Sequence, residues 1–208
     1  MLLWTGINNN NNNNIIIIGI GISKYYGPLV TTPISEFEDH WKVNAMGPVV
    51  LFQATHKLLL ASPTKAPTFV VISTGAASIS AYIPMASSAY GSSKTAVNFL
   101  IKVLDDEHAK DGLIAFAISP GLVATDMVSP FHCEVLDFLS LTHTLCEQGN
   151  KGANTLGLAQ APVSLEDSVS GILSRIDGAT REKSSGKFWN YKATRGNPWD
   201  IDSEEVPW

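Results

Sequence analysis

The length, charge and cysteine content of the chain exclude several classes of protein. Its 208 residues, 45% of them hydrophobic, suffice for one globular domain with an apolar core. The formal net charge of −5 comes without a basic stripe, which argues against a nucleic-acid partner. Two cysteines, Cys133 and Cys146, predict neither a disulfide framework nor a metal site, and no apolar run approaches the roughly 20 residues of a membrane span. We therefore expect a cytoplasmic protein with no metal and no membrane partner.

The first residues of the chain predict no folded element. Seven asparagines, Asn8–Asn14, occupy most of this stretch, and a polar homopolymer cannot bury enough surface to offset the entropy of ordering it. The run Ile15–Ile18 that follows predicts a strand. The sequence therefore predicts a disordered, low-complexity stub at 1–14 and a single domain at 15–208.

A long helix is predicted to start in the segment Thr31–Glu36. This segment offers a hydroxyl N-cap, a proline for the first turn and an acidic residue near the positive end of the helix dipole. The helix is expected to continue to about Leu60 and to stop near Ser62–Pro63.

Two later apolar runs predict strands that are buried on both faces. The first, Thr68–Gly75, ends in the hydroxyl residues Ser73 and Thr74, and the second, Leu113–Gly121, ends in a Ser-Pro-Gly turn. Such strands are typical of parallel sheets, and ligands of open α/β sheets bind outside the carboxyl ends of the strands. We therefore expect the hydroxyl groups and the turn to lie at one edge of the sheet.

Tyr90 and Lys94 lie between these strands, in a helix expected from about Ser88 to Lys110. Their spacing of four residues places the ammonium group one helical turn from the phenol. A cation within about 4–6 Å favours the phenolate and lowers a tyrosine pKa from its ordinary value near 10. Tyr90 is thus a candidate general acid or base and Lys94 the residue that lowers its pKa. The alternative interpretation is an exposed tyrosine and lysine at helical spacing.

Four motifs, in this order along the chain, resemble the short-chain dehydrogenase/reductase family. They are Asn44 within Trp41–Pro48, the strand end Ile72–Thr74, the segment Tyr90–Lys94 and the segment Ser119–Met127. The resemblance runs from about Gly21 to the end of the sequence. It implies a Rossmann-like, doubly wound parallel sheet of the α/β class and an NAD(P)-dependent oxidoreductase of the carbonyl reductase, ketoreductase or alcohol dehydrogenase type.

The N-terminal stretch departs from the family pattern. The family begins with a strand and a Thr-Gly-x-x-x-Gly-x-Gly loop whose backbone approaches the cofactor pyrophosphate, and only Thr5–Gly6 matches it. A βαβ unit takes about 30 residues, whereas eight separate Gly6 from Ile15. The expectation is an incomplete sheet that lacks most of the first βαβαβ half. A naturally shortened product and a mis-assembled reading frame both explain this pattern, and we favour the second.

The resemblance implies a role for each candidate site residue. Tyr90 would protonate the substrate oxygen, Lys94 would also hold the nicotinamide ribose, and Asn44 would complete a proton relay to water. Thr74 would position the substrate carbonyl, with Ser73 and Ser78 as alternatives. The residues expected to contact the cofactor are Tyr90, Lys94, Gly21, Pro120, Gly121, Val123 and Thr125. NAD and NADP cannot be distinguished, because the residue that recognises the ribose 2′ position falls in the stretch that departs from the family.

The segment at about 127–162 corresponds in position to the variable substrate loop of the family. Its aromatic and aliphatic residues suggest a bulky, apolar carbonyl or alcohol substrate. A further helix is predicted from Ser164 to about Ile176, a last strand at Gly186–Tyr191, and a homo-oligomer through the two long helices. The alternative function is a catalytically inactive family member, or an interaction partner, that lacks the glycine-rich cofactor loop. A hydrolase that uses Ser73 or Ser78 is disfavoured because the sequence has no nucleophile elbow.

Overall fold

The computed structural model describes residues 14–63, 65–124, 152–192 and 204–208. Within these residues, four strands form one parallel sheet and two short strands form a second. The strands are β1 (Ile15–Ile18), β2 (Thr68–Ile72), β3 (Ile114–Ser119), β4 (Val123–Ala124), β5 (Val163–Ser164) and β6 (Phe188–Asn190). The larger sheet has the order β1-β2-β3-β6, and β4 pairs with β5.

The helices flank the larger sheet. They are α1 (Ile34–His40), α2 (Gly47–Leu60), α3 (Ser88–Glu107), α4 (Leu165–Asp177) and α5 (Arg181–Ser184). A six-residue π-helical segment, Trp41–Met46, joins α1 to α2, and short 3-10 turns occupy Leu29–Thr31 and Gly75–Ala77. Among the described residues, no helix has the length and apolar character needed to cross a membrane.

The two faces of the sheet carry separate apolar cores, because successive strand residues point to opposite sides. On one face, residues such as Ile18 and Val71 pack with Phe52 of α2 and Ile101 of α3. On the other face, β2 and β3 pack against α4 through Ile176. Every residue of β2 and β3 is buried. The predicted α/β class with a buried parallel sheet is confirmed.

Two helix ends differ in detail from the sequence prediction. The long helix begins at Ile34, within the predicted segment, but its N-cap is Pro33, whose ring offers no hydrogen-bond acceptor; the hydroxyls of Thr31 and Thr32 donate to the carbonyl of Pro28. Helix α3 ends at Glu107, before the predicted Lys110. Asn14, just before β1, accepts a backbone hydrogen bond from the Thr68 N–H at 3.0 Å.

Other predicted elements agree with the structure or fall outside the described residues. The helix predicted from Ser164 is confirmed as α4, with the Ser164 hydroxyl accepting from the Asp167 N–H at 3.0 Å. The missing first half of the sheet and the boundary after residue 14 stay predictions, because residues 1–13 are not described. The two cysteines and most of the substrate loop fall at 125–151, also outside the described residues.

The parallel register of the strands shows which strand ends lie together at the edge of the sheet where ligands are expected. Ile18 of β1 pairs with Val71 of β2, and Ile72 pairs with Ile118 of β3, all in parallel. The carboxyl ends of these three strands therefore lie side by side. The first turns of α3 meet the same edge, since Gly91 packs against the carbonyl of Ala76 just beyond β2; a Cβ at Gly91 would lie 3.1 Å from that oxygen.

Candidate active site

One pocket at this edge contains most of the predicted site residues. Its lining includes the ends of β1, β2 and β3 and the first turns of α3. The predicted residues that line it are Gly21, Ser73, Thr74, Tyr90, Lys94, Pro120, Gly121 and Val123, with Ser73 predicted as an alternative to Thr74. Asn44 is not part of this lining, and Thr125 lies outside the described residues.

Lys94 bridges the first two strands from below the pocket. Its side chain is 3% exposed, and Nζ donates to the carbonyls of Ile20 at 2.8 Å and Ile72 at 2.9 Å. Gly21 leaves room for it, since a Cβ there would lie 3.3 Å from Nζ. Burial disfavours the charged form and lowers the Lys94 pKa from 10.5 to about 7. The buried amine therefore loses its proton more readily than that of an exposed lysine.

Tyr90 has the opposite pKa shift from the one predicted. Burial is the main cause and raises its pKa above the ordinary value; the charge of Tyr26 raises it further, and a hydrogen bond with Thr74 opposes the shift. The predicted lowering by Lys94 is wrong for this structure because the Lys94 amine is directed to the carbonyls of Ile20 and Ile72 and is itself desolvated. At neutral pH Tyr90 thus carries its proton and can act as a hydrogen-bond donor or acid.

Asn44 lies in the π-helical segment and connects the pocket wall to α3. It is fully buried; its Oδ1 accepts from the Ile22 N–H at 2.7 Å, and its Nδ2 donates to the Ile22 carbonyl at 3.0 Å and to Ser93 Oγ at 2.9 Å. Ser93 in turn donates to the Tyr90 carbonyl at 2.7 Å. A distorted helix at Asn44 agrees with the family resemblance, whereas the proton relay to water stays a prediction.

We expect Asn44→Ala to lower the free energy of unfolding by about 2–4 kcal/mol, since three buried hydrogen bonds are lost and both backbone groups of Ile22 lose a partner. Urea denaturation followed by tryptophan fluorescence measures the change. The exposed residue Asn154 supplies the control, Asn154→Ala. Equal effects of the two substitutions would contradict a clamping role for Asn44.

The three candidate substrate-binding hydroxyls occupy different environments. Thr74 lines the pocket and hydrogen-bonds Tyr90. Ser73 is buried and donates to Asn98 Oδ1 at 2.7 Å. Ser78 donates instead to the carbonyl of Pro207 at 2.6 Å and is not part of the pocket lining. The geometry favours Thr74 as the hydroxyl available to a substrate.

Sequence reasoning missed Tyr26 and the two carbonyls that hold Lys94. Tyr26 lines the pocket and interacts electrostatically with Tyr90. Its only signal in the sequence is an aromatic residue shortly after a strand end, where parallel sheets bind ligands. The carbonyls belong to Ile20 and Ile72, whose side chains give no indication of a polar role. The described part of the chain contains no group of three or more side chains suited to a metal ion.

Comparison with known protein families gives one family match. Residues 11–134 match the model described as short chain dehydrogenase. The match begins before Gly21 and includes all of the Tyr90–Lys94 segment.

Two relatives are fungal enzymes. The chain is 35% identical over 184 residues to a norsolorinic acid ketoreductase of Dothistroma septosporum, covering 86% of this chain and 59% of that protein. It is 34% identical over 186 residues to the norsolorinic acid ketoreductase of Aspergillus parasiticus, covering 88% of this chain and 56% of that protein. The chain thus spans less than two thirds of the length of each of these curated relatives.

Solved structures share the fold. The carbonyl reductase Sniffer of D. melanogaster superposes with a TM-score of 0.69 at 19% identity, covering 93% of this chain and 66% of that one. An NADPH-bound carbonyl reductase from chicken fatty liver superposes with a TM-score of 0.60 at 22% identity, covering 84% of this chain and 62% of that one. These likenesses support a Rossmann-like arrangement of the described sheet and helices.

Proposed function

Because this chain belongs to the short-chain dehydrogenase/reductase family, we propose that the protein is an NAD(P)-dependent oxidoreductase that reduces the carbonyl group of a small-molecule substrate or oxidises the matching alcohol. The observation that carries the proposal is the convergence of Tyr90, Lys94 and Thr74 on one pocket at the carboxyl ends of three parallel strands. Ligands of open α/β sheets bind at this edge, and a phenol beside a hydroxyl is suited to holding a carbonyl oxygen.

The described residues fit the nicotinamide end of the cofactor. The pocket lining includes Gly21, Pro120 and Gly121, which carry little side-chain bulk, so a flat ring can approach the backbone there. Lys94 lines the same pocket. Gly121 has a φ of +77°, and a Cβ there would lie 2.7 Å from Tyr191 Cε1, so the turn requires glycine. Nicotinamide, when bound, supplies or accepts the hydride. Thr5–Gly6, the one match to the family's pyrophosphate loop, lies outside the described residues.

The side chains then have separate tasks in carbonyl reduction. Thr74 and Tyr90 hold the substrate oxygen by hydrogen bonds. Tyr90, protonated at neutral pH because burial raises its pKa, gives its proton to the oxygen as negative charge develops there. Lys94, held in the pocket lining by the carbonyls of Ile20 and Ile72, is the residue proposed to contact the nicotinamide ribose. Asn44 attaches the backbone of Ile22, next to the lining residue Gly21, to Ser93 of α3.

A bulky aromatic ketone is the substrate class we propose. The relatives from D. septosporum and A. parasiticus are named for reduction of norsolorinic acid. Met85, Leu122 and Val123 add apolar surface to the pocket around the polar groups, as expected for a ligand with an apolar body and one reacting oxygen.

Titration of the purified 208-residue chain with NADPH and NADH, followed by nicotinamide fluorescence, tests the proposal first. We expect saturable binding of at least one of them, then consumption of the reduced nicotinamide with a fused-ring aromatic ketone and little with acetone. A folded protein that binds neither nucleotide would contradict the enzyme and support the inactive family member. If the protein binds a nucleotide but converts no ketone or alcohol, the proposed cofactor site stands and the proposed substrate class is rejected.

A further inference from the structure

Tyr26 is held in the pocket by a contact between distant parts of the chain. The segment after β1 meets the residues just before α3, where the Gly27 N–H donates to the Ala86 carbonyl at 2.7 Å and Gly27 forms a parallel bridge with Ser87. This contact fixes the backbone next to Tyr26 against the start of the helix that carries Tyr90. Tyr26 therefore lines the same pocket as Tyr90.

The two adjacent tyrosines point to different places. The Tyr25 ring folds over Gly27, where a Cβ would lie 2.7 Å from its hydroxyl oxygen, and this hydroxyl approaches the Thr31 carbonyl at 3.4 Å. Tyr25 is not part of the pocket lining, whereas Tyr26 is. The chain thus offers a neighbouring tyrosine as a matched control for Tyr26.

The hydroxyl of Tyr26 is oriented by a buried serine. Ser23, which is 5% exposed, donates from Oγ to the Tyr26 hydroxyl oxygen at 2.9 Å. A phenol that accepts from Ser23 directs its own O–H away from Ser23. An ionised Tyr26 would raise the Tyr90 pKa, which agrees with the two phenols lining one pocket.

We propose that Tyr26 is a specificity-determining residue whose hydroxyl hydrogen-bonds an oxygen of the substrate other than the reacting carbonyl. The pocket would then favour ketones that carry a hydroxyl or keto oxygen beside the carbonyl. This inference rests on the proposed function. Tyr90 and Thr74 are sufficient to hydrogen-bond the reacting oxygen. The phenol of Tyr26, oriented by Ser23 in the same pocket, is therefore available for a second oxygen of the substrate. A site with a hydrogen-bonding group for a substrate oxygen discriminates against analogues that lack that oxygen.

The test compares Tyr26→Phe with the unsubstituted protein on acetophenone and α-hydroxyacetophenone, which differ by one hydroxyl. We expect kcat/KM for the hydroxyketone to fall roughly tenfold, the usual contribution of one neutral hydrogen bond. For acetophenone we expect a change of less than about threefold. The ratio of the two values removes the intrinsic reactivity of each ketone and any uniform loss of active protein. Tyr25→Phe should leave both values unchanged.

The outcomes separate this inference from the proposed function. An unsubstituted protein that reduces neither ketone nor any other carbonyl compound contradicts the proposed function itself. Turnover of both ketones with equal loss in Tyr26→Phe overturns the specificity role, because the phenol then acts on the common reacting group or on the fold. Turnover with no loss for either ketone also overturns it. Urea denaturation of Tyr26→Phe checks that the variant is folded.

Discussion

Tyr90→Phe should reduce kcat for carbonyl reduction by about a thousandfold, within the range expected when a general acid is removed. The substitution keeps the ring and removes the phenol hydroxyl, the proposed proton donor, from the pocket lining beside Thr74. The affinity for reduced nicotinamide should change by less than about threefold, since Lys94 and the glycines of the pocket lining remain. Steady-state kinetics with the best ketone, together with a fluorescence titration of the nucleotide, measures both quantities.

A surface tyrosine supplies the matched control for this experiment. Tyr82 is 73% exposed and is not part of the pocket lining, so Tyr82→Phe should retain the kcat of the unsubstituted protein. A Tyr90→Phe variant that keeps more than about a tenth of kcat would show that another group or water donates the proton. A parallel loss of nucleotide affinity would instead indicate that the phenol mainly holds the cofactor.

The sequence predicts those parts of the site that depend on periodicity and topology. The four-residue spacing of Tyr90 and Lys94 is a helical property, and α3 includes both. Buried strands that end in Thr74 and in Pro120–Gly121 are typical of a parallel sheet, whose strand ends meet at one edge. The pocket therefore contains these residues as predicted.

The parts that sequence could not predict depend on backbone contacts between distant segments. No side-chain pattern reveals that Tyr90 is buried or that Lys94 donates to the carbonyls of Ile20 and Ile72. The predicted direction of the Tyr90 pKa shift is wrong for this reason. Tyr26 enters the pocket because Gly27 pairs with Ser87, a contact that spans about 60 residues of sequence. Spacing rules apply within one element, whereas these contacts arise only when elements pack.

The same contacts link the fold to the chemistry of the pocket. Asn44 and Lys94 both attach α3 to the chain that follows β1, the first through Ile22 and the second through Ile20. Lys94 lines the candidate active site and also donates to two backbone carbonyls. Burying its amine costs free energy, and that cost depends on pH. The free energy of unfolding should therefore depend on the protonation state of Lys94 in the candidate active site.

Lys94→Met should change the pH dependence of stability, measured without cofactor. In the unfolded chain the amine titrates near its ordinary pKa of about 10.4, whereas burial lowers the folded pKa to about 7. Between these values the unfolded chain binds a proton that the folded protein does not, so raising the pH disfavours unfolding. The free energy of unfolding of the unsubstituted protein should rise by about 2–3 kcal/mol from pH 6 to pH 9, relative to Lys94→Met.

Urea denaturation across this pH range, with the difference between the two proteins plotted against pH, isolates Lys94 from all other titrating groups. The carbonyls of Ile20 and Ile72 lose a donor in the variant, but that loss is largely independent of pH and shifts the plot without changing its slope. Lys57, exposed on α2, gives the control Lys57→Met, for which we expect a flat difference. A flat difference for Lys94→Met as well would mean that the amine stays protonated in the folded protein, and that Lys94 meets Tyr90 as a full cation at neutral pH.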